Sequence, residues 1–137
     1  MTDARIPATV LVVDDDPGVV MTFARMLRLA GFNVSTALNA EIGLREATAV
    51  RPDAVLVDLC MPLVDGLAFV RQLRAQEDER RIAIAVVTGD YFVAESVSRE
   101  LRELGASIYF KPLWLADLVL ITERLTAAHD TSRRGDH

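Results

Sequence analysis

Residues 10–18 read VLVVDDDPG: four consecutive apolar residues, three adjacent carboxylates at Asp14, Asp15 and Asp16, then a proline and a glycine. An apolar run so short and so rich in valine suits a strand buried on both faces of a parallel sheet. Its abrupt end sets a cluster of acidic groups at the strand's carboxyl edge. Like charges this close raise one another's pKa unless a positive charge is nearby. The identity of that positive charge is the question the stretch raises.

Working outward, runs of the same kind recur at 8–13 (ATVLVV), 53–57 (DAVLV) and 82–87 (IAIAVV), with weaker strand patterns at 33–37 (NVSTA) and 107–110 (SIYF). Between them lie segments with helical spacing. Val20, Phe23, Leu27 and Ala30 mark the first, with Gly31 placed to end it. Ile42, Leu44 and Ala47 mark the second, before Pro52; Leu67, Val70 and Leu73 mark the third. Val93, Val97, Leu101 and Leu104 mark the fourth, closed by Gly105, and residues 113–127 form the fifth. Strand and helix thus alternate five times. That order predicts an α/β fold, a doubly wound parallel sheet covered by helices on both sides. Ligands of such sheets bind beyond the carboxyl ends of the strands, where the strand order reverses.

The 137 residues suit one domain, predicted over 7–127, with 1–6 as an N-terminal extension and the polar segment AHDTSRRGDH at 128–137 as a disordered tail. No apolar stretch approaches the roughly 20 residues that cross a bilayer, and MTDARIPATV has no secretory core, so a cytoplasmic location away from membranes is expected. Cys60 is the single cysteine and cannot pair within the chain. A net charge of −5 disfavours direct nucleic-acid binding. The chain uses arginine fourteen times and lysine once, at Lys111.

The residues at the strand ends converge on one rim: Asp14, Asp15 and Asp16 after the first, Asp58 after the third, Thr88 after the fourth, Lys111 after the fifth. Each has a plain reading taken singly. Asp16 before Pro17 is most simply a helix N-cap with proline at the first helical position. Asp14 and Asp15 could be a solvated strand end, Asp58 could lead into a turn, Thr88 before Gly89 could cap a helix, and Lys111 could be a surface lysine. Their coincidence at one rim is what these readings do not explain. Three carboxylates form a hard, oxygen-only site suited to Mg²⁺, and an ammonium and a hydroxyl supply donors for phosphoryl oxygens. Lysine fits that task as a compact point charge on a flexible stem.

With these residues in view, the chain resembles the receiver domain of two-component response regulators over roughly 7–127. The resemblance rests on VLVVDDDPG at 10–18, VLVDLCMPLVDG at 55–66, VVTGD at 86–90 and YFKPL at 109–113. It implies a flavodoxin-like (βα)5 sheet with strand order 2-1-3-4-5. It also implies that Asp58 is the phosphoacceptor, phosphorylated by a histidine kinase or histidine phosphotransfer protein. Asp15 and Asp58 would bind Mg²⁺ directly, with the backbone carbonyl of Cys60, and Asp14 would act through water. Thr88 would be the switch hydroxyl, Lys111 would pair with the phosphoryl group, and the Lys111–Pro112 peptide would be cis. Cys60 and Asp90 occupy positions that tune the acyl phosphate's lifetime. Such a domain is a signalling phosphoacceptor with slow self-phosphorylation and self-dephosphorylation, rather than an enzyme.

The chain departs from the family pattern at Ile108, where an aromatic residue often couples to the switch hydroxyl. Tyr109 is adjacent, but strand alternation sets it on the opposite face, and Phe110 is expected in the core. In the last helix Leu118, Ile121 and Leu125 supply a core stripe, while Trp114, Leu115, Val119 and Leu120 leave apolar groups around the rest. A second buried face is therefore expected on this helix, in a homodimer or against a downstream protein effector, and the resemblance implies that it belongs to a surface shared by the fourth helix, fifth strand and fifth helix. Two rival readings stay open. One is a haloacid-dehalogenase-like phosphohydrolase with Asp14 as nucleophile and Asp16 completing its D-x-D pair; the other is an interaction module that keeps the fold without the phosphorylation chemistry.

Overall fold

In the computed structural model the described residues are 7–59, 61, 65–76, 82–89 and 92–134, with side chains described to 127. Five strands alternate with five helices: β1 (Thr9–Val13), α1 (Pro17–Leu29), β2 (Asn33–Ala37), α2 (Ala40–Val50), β3 (Ala54–Val57), α3 (Gly66–Gln76), β4 (Ala83–Thr88), α4 (Glu95–Glu103), β5 (Ala106–Phe110) and α5 (Leu115–Arg134). All strand pairings are parallel and the sheet order is β2-β1-β3-β4-β5. The doubly wound sheet with order 2-1-3-4-5 is thus the observed fold.

Alternation along the strands divides the core into two layers. Leu11, Val13, Val55, Val57, Ile84 and Val86 face α2, α3 and α4, where they meet Phe69, Val70, Leu73 and Leu101. Val10, Val12, Leu56, Ala85 and Val87 face the other way, against Phe23 and Leu27 of α1 and Leu118, Ile121 and Leu125 of α5. Burying a side chain of this size stabilises the fold by about 1.5–3 kcal/mol. The apolar runs need no polar alternation because helices cover both faces.

Local signals set the helix ends. Asp16 Oδ1 accepts a hydrogen bond from the Gly18 N–H at 2.9 Å, with Pro17 opening α1. Asp16 is therefore a cap. At the other end Gly31, at φ 100°, closes a double bond pattern: its N–H donates to the Arg28 carbonyl and the Phe32 N–H donates to that of Leu27, both at 3.0 Å. Asn39 Oδ1 caps α2 through the Ile42 N–H at 2.8 Å.

Several expectations are corrected. The buried stripe of α2 is Ala40, Gly43 and Ala47 with half-buried Leu44, while Ile42 is exposed. Gly43 explains the shift: a Cβ there would lie 2.9 Å from Phe69 Cε1 and 3.1 Å from Val13 Cγ2, so the helix sits too close to the sheet for a larger residue. Ala30 is exposed at the end of α1, and Ala24 takes its place in the core. Phe110 is 42% exposed instead of buried. It closes β5, an edge strand paired on one side only, to Thr88 of β4. Helix α5 runs from Leu115 to Arg134 instead of ending at 127. Between Pro112 and Gly135 the sequence holds no proline or glycine, and Ala127 and Ala128 favour continuation. Residues 1–6 and 135–137 lie outside the described residues.

Candidate functional site

Three of the strand-end residues stand one position past their strand, each held there by a further main-chain bond to the neighbouring strand. The Asp14 N–H donates to the Ala37 carbonyl at 3.2 Å, the Asp58 N–H to that of Val13 at 3.0 Å, and the Lys111 N–H to that of Thr88 at 2.8 Å. The sheet thereby fixes two carboxylates and the ammonium at one rim. Thr88 itself ends β4 and is fully buried.

The carboxylate oxygens of Asp14, Asp15 and Asp58 lie within 4.8 Å of one another. Asp14 and Asp58 are 4% and 8% exposed, while Asp15 faces solvent. Lys111 Nζ donates to Asp14 Oδ2 at 2.8 Å and lies 3.7 Å from Asp58 Oδ2. The other Asp14 oxygen, Oδ1, accepts from the Asp16 N–H at 3.0 Å. Burial opposes the Lys111 charge, but its hydrogen bond to Asp14 and the attraction of Asp14, Asp58 and Asp16 outweigh that, so its pKa is raised. The ammonium stays charged. The Lys111–Pro112 peptide is cis.

One ammonium facing three carboxylates leaves this cluster negative. The donor set is all oxygen, and its span compares with the ~4.2 Å between opposite corners of an octahedron with ~2.1 Å bonds. These residues fit a small divalent cation. Among the described residues, this cluster is the acidic group with that geometry.

Gly66 contributes in a way its turn-like sequence context did not reveal. It opens α3 with its N–H donating to the Leu59 carbonyl at 2.8 Å, and a Cβ would fall 2.4 Å from the Asp58 carbonyl oxygen and 2.6 Å from Leu59 Cα. Close packing on the main chain that carries Asp58 demands glycine here. The signal was the glycine itself, opening a helix where alanine is otherwise favoured.

Ile108 pairs with Val86 and packs in the α4-side layer with Val97 and Leu104, whereas Tyr109 packs on the opposite layer with Leu113. Trp114, Leu115, Val119 and Leu120 are not part of the rim cluster: Trp114, Leu115 and Leu120 are exposed and Val119 is half-buried. Cys60 and Asp90 lie outside the described residues. The D-x-D reading loses both of its residues, since Asp16 is a cap and both oxygens of the buried Asp14 are engaged.

A five-stranded doubly wound sheet whose carboxyl rim gathers three carboxylates and a lysine defines a class, that of flavodoxin-like proteins with an acidic rim site. The comparisons with known proteins narrow it further. A family model of the response regulator receiver domain matches residues 10–123, and the chain belongs to that family. It is 43% identical over 111 residues to the transcriptional regulatory protein PrrA of Mycobacterium leprae, covering 80% of this chain and 46% of that protein. It is 37% identical over 115 residues to the response regulator MprA of Mycolicibacterium vanbaalenii, covering 83% and 48%. The chain thus spans about half the length of these curated relatives. Among solved structures it is similar to the chemotaxis protein CheY4 of Vibrio cholerae, with a TM-score of 0.80 and 27% identity, covering 88% of this chain and 99% of that one.

Proposed function

We propose that this receiver domain accepts a phosphoryl group on Asp58 from the phosphohistidine of a histidine kinase or phosphotransfer protein. The observation that carries this reading is the Lys111 ammonium set between Asp14, at 2.8 Å, and Asp58, at 3.7 Å. An Asp58 oxygen forms the new O–P bond as the P–N bond to the donor imidazole breaks, and the imidazole leaves with that electron pair. Asp15 and Asp58 would hold Mg²⁺ directly, with the Cys60 carbonyl as a further ligand and Asp14 acting through water. When bound, Mg²⁺ neutralises charge that would otherwise repel the incoming phosphoryl group. Lys111 donates to a phosphoryl oxygen, and the Thr88 hydroxyl takes another. Cys60 and Asp90 tune the lifetime of the acyl phosphate, which serves as a signal with slow self-dephosphorylation.

The phosphoryl group adds about −1.5 to −2 charge at one point, and the output is a changed packing at the surface of α4, β5 and α5. Exposure of Trp114 at 73%, Leu115 at 48% and Leu120 at 46% supports that surface as the one read by a downstream protein effector or a second copy of the chain. The relatives named as transcriptional regulators favour an effector that controls transcription. A cytoplasmic location follows from a kinase donor, and no helix among the described residues is long and apolar enough to cross a membrane.

The test is the intact mass of the protein after incubation with acetyl phosphate and Mg²⁺. One added phosphoryl group is expected, absent with EDTA and absent in Asp58→Asn. Light scattering with and without beryllofluoride tests the second-copy reading, and a monomer under both conditions overturns it.

A further inference from the structure

Helix α4 is weakly held by burial. Leu101 is its one fully buried side chain, Ala94 gives its N-terminus no side-chain hydrogen bond, and it spans 9 residues. An isolated helix needs roughly 12–15 residues to be even marginally stable in water. Helix α3 is the opposite case, with Gly66, Leu67, Phe69, Val70 and Leu73 all buried.

Two arginines reach from α3 to α4. Arg71 grips Glu100 with both prongs, Nε donating to Oε2 and Nη2 donating to Oε1 at 2.6 Å. Their hydrogen bond raises the pKa of Arg71 and lowers that of Glu100, so both stay charged. Arg74, one turn on, donates through Nε to the Leu104 carbonyl at the end of α4, and through Nη1 to the Ile82 carbonyl before β4, both at 2.7 Å. The middle of α4 and its carboxyl end are thus both tied to one face of α3. The amino end of α3 is packed on the Asp58 main chain through Gly66.

We propose that Arg71 and Arg74 form a clamp that fixes α4 to α3 and so couples the position of α4 to the main chain carrying Asp58. The coupling half of this proposal rests on Asp58 being the acceptor. If α4 and the loaded site are coupled, a ligand that fills the acceptor site changes the opening equilibrium of α4, and the clamp carries that change.

The test uses the full chain and two readouts: amide exchange across α4 without and with beryllofluoride and Mg²⁺, and occupancy of the site by beryllofluoride followed by fluorine NMR. An exposed pair is worth little, so Arg71→Gln and Glu100→Gln are each expected to lower α4 protection about two- to fivefold. Arg74→Gln is expected to lower it about tenfold, because two carbonyls lose a charged donor. The double exchange Arg71→Glu with Glu100→Arg restores protection, and beryllofluoride with Mg²⁺ changes α4 protection in the wild type and the double exchange by a factor that the single arginine variants lose. Unchanged α4 protection in the arginine variants, or a double exchange that fails to restore it, overturns the clamp. An α4 protection that beryllofluoride leaves unchanged in the wild type, or changes equally in the arginine variants, overturns the coupling. A wild type that does not take beryllofluoride overturns the acceptor reading instead, and the exchange data alone then decide the clamp.

Discussion

The Lys111 ammonium and the Asp14 carboxylate, 97 residues apart in sequence, meet in a 2.8 Å hydrogen bond. Their strands are not neighbours, since β3 and β4 lie between β1 and β5. The bond therefore spans β3, which leads into Asp58, and exists only because every strand points its carboxyl end to one rim. It also supplies a cation to a pair of buried carboxylates, which ties folding to the chemistry of the site.

Replacing Lys111 with methionine strands the Asp14 charge, and a loss of about 2 kcal/mol is expected at neutral pH in EDTA, measured by urea denaturation. Burial works against the Lys111 charge, yet the Asp14 hydrogen bond and the neighbouring carboxylates raise its folded pKa. A raised pKa contributes its stability in full below the unfolded value of about 10.4 and loses it as pH rises through the folded value. The wild type should accordingly weaken above pH ~10.4 in a way that Lys111→Met does not. Equal alkaline slopes contradict the assignment.

Gly66→Ala drives a Cβ to 2.4 Å from the Asp58 carbonyl oxygen, with main chain on both sides of the clash. A loss of about 1–3 kcal/mol is expected, together with slower labelling by acetyl phosphate as Asp58 is displaced. Urea denaturation and a labelling time course measure the two effects. Wild-type labelling would separate Gly66 from the site.

Asp15 and Asp16 are adjacent, exposed and chemically alike, yet their substitutions should part company. Asp16→Ala removes the cap of α1 and should cost about 1 kcal/mol with Mg²⁺ affinity kept. Asp15→Asn should leave stability within about 0.5 kcal/mol and weaken Mg²⁺ binding at least tenfold. Thermal unfolding and a Mg²⁺ titration check both, and weakened binding in Asp16→Ala would show that Asp16 is a ligand as well.

The parallel sheet was legible because β1, β3 and β4 are unbroken apolar runs that only a sheet covered on both sides can bury. The clustering at the rim was legible for the same reason, since Asp14, Asp58, Thr88 and Lys111 lie directly at a strand's carboxyl end. What escaped depends on distances that no single-chain pattern carries. Gly43 and Gly66 are required by neighbours that the fold brings close: Phe69 and Val13 around the first, the Asp58 main chain around the second. Phe110 looks like core by composition, and only its place at the end of an edge strand exposes it. Arg71 and Arg74 of α3 gain their partners, Glu100 and the Leu104 carbonyl, only once the fold sets α4 opposite α3.

The central claim is that Asp58 is the reactive carboxylate and that Asp14, Asp15 and Lys111 serve it. Peptide mapping by mass spectrometry, after acetyl phosphate and Mg²⁺ treatment and borohydride trapping of the acyl phosphate, tests it most directly. The predicted result is modification at Asp58 alone, lost in Asp58→Asn. Modification at Asp14, or none at any aspartate, would contradict the account.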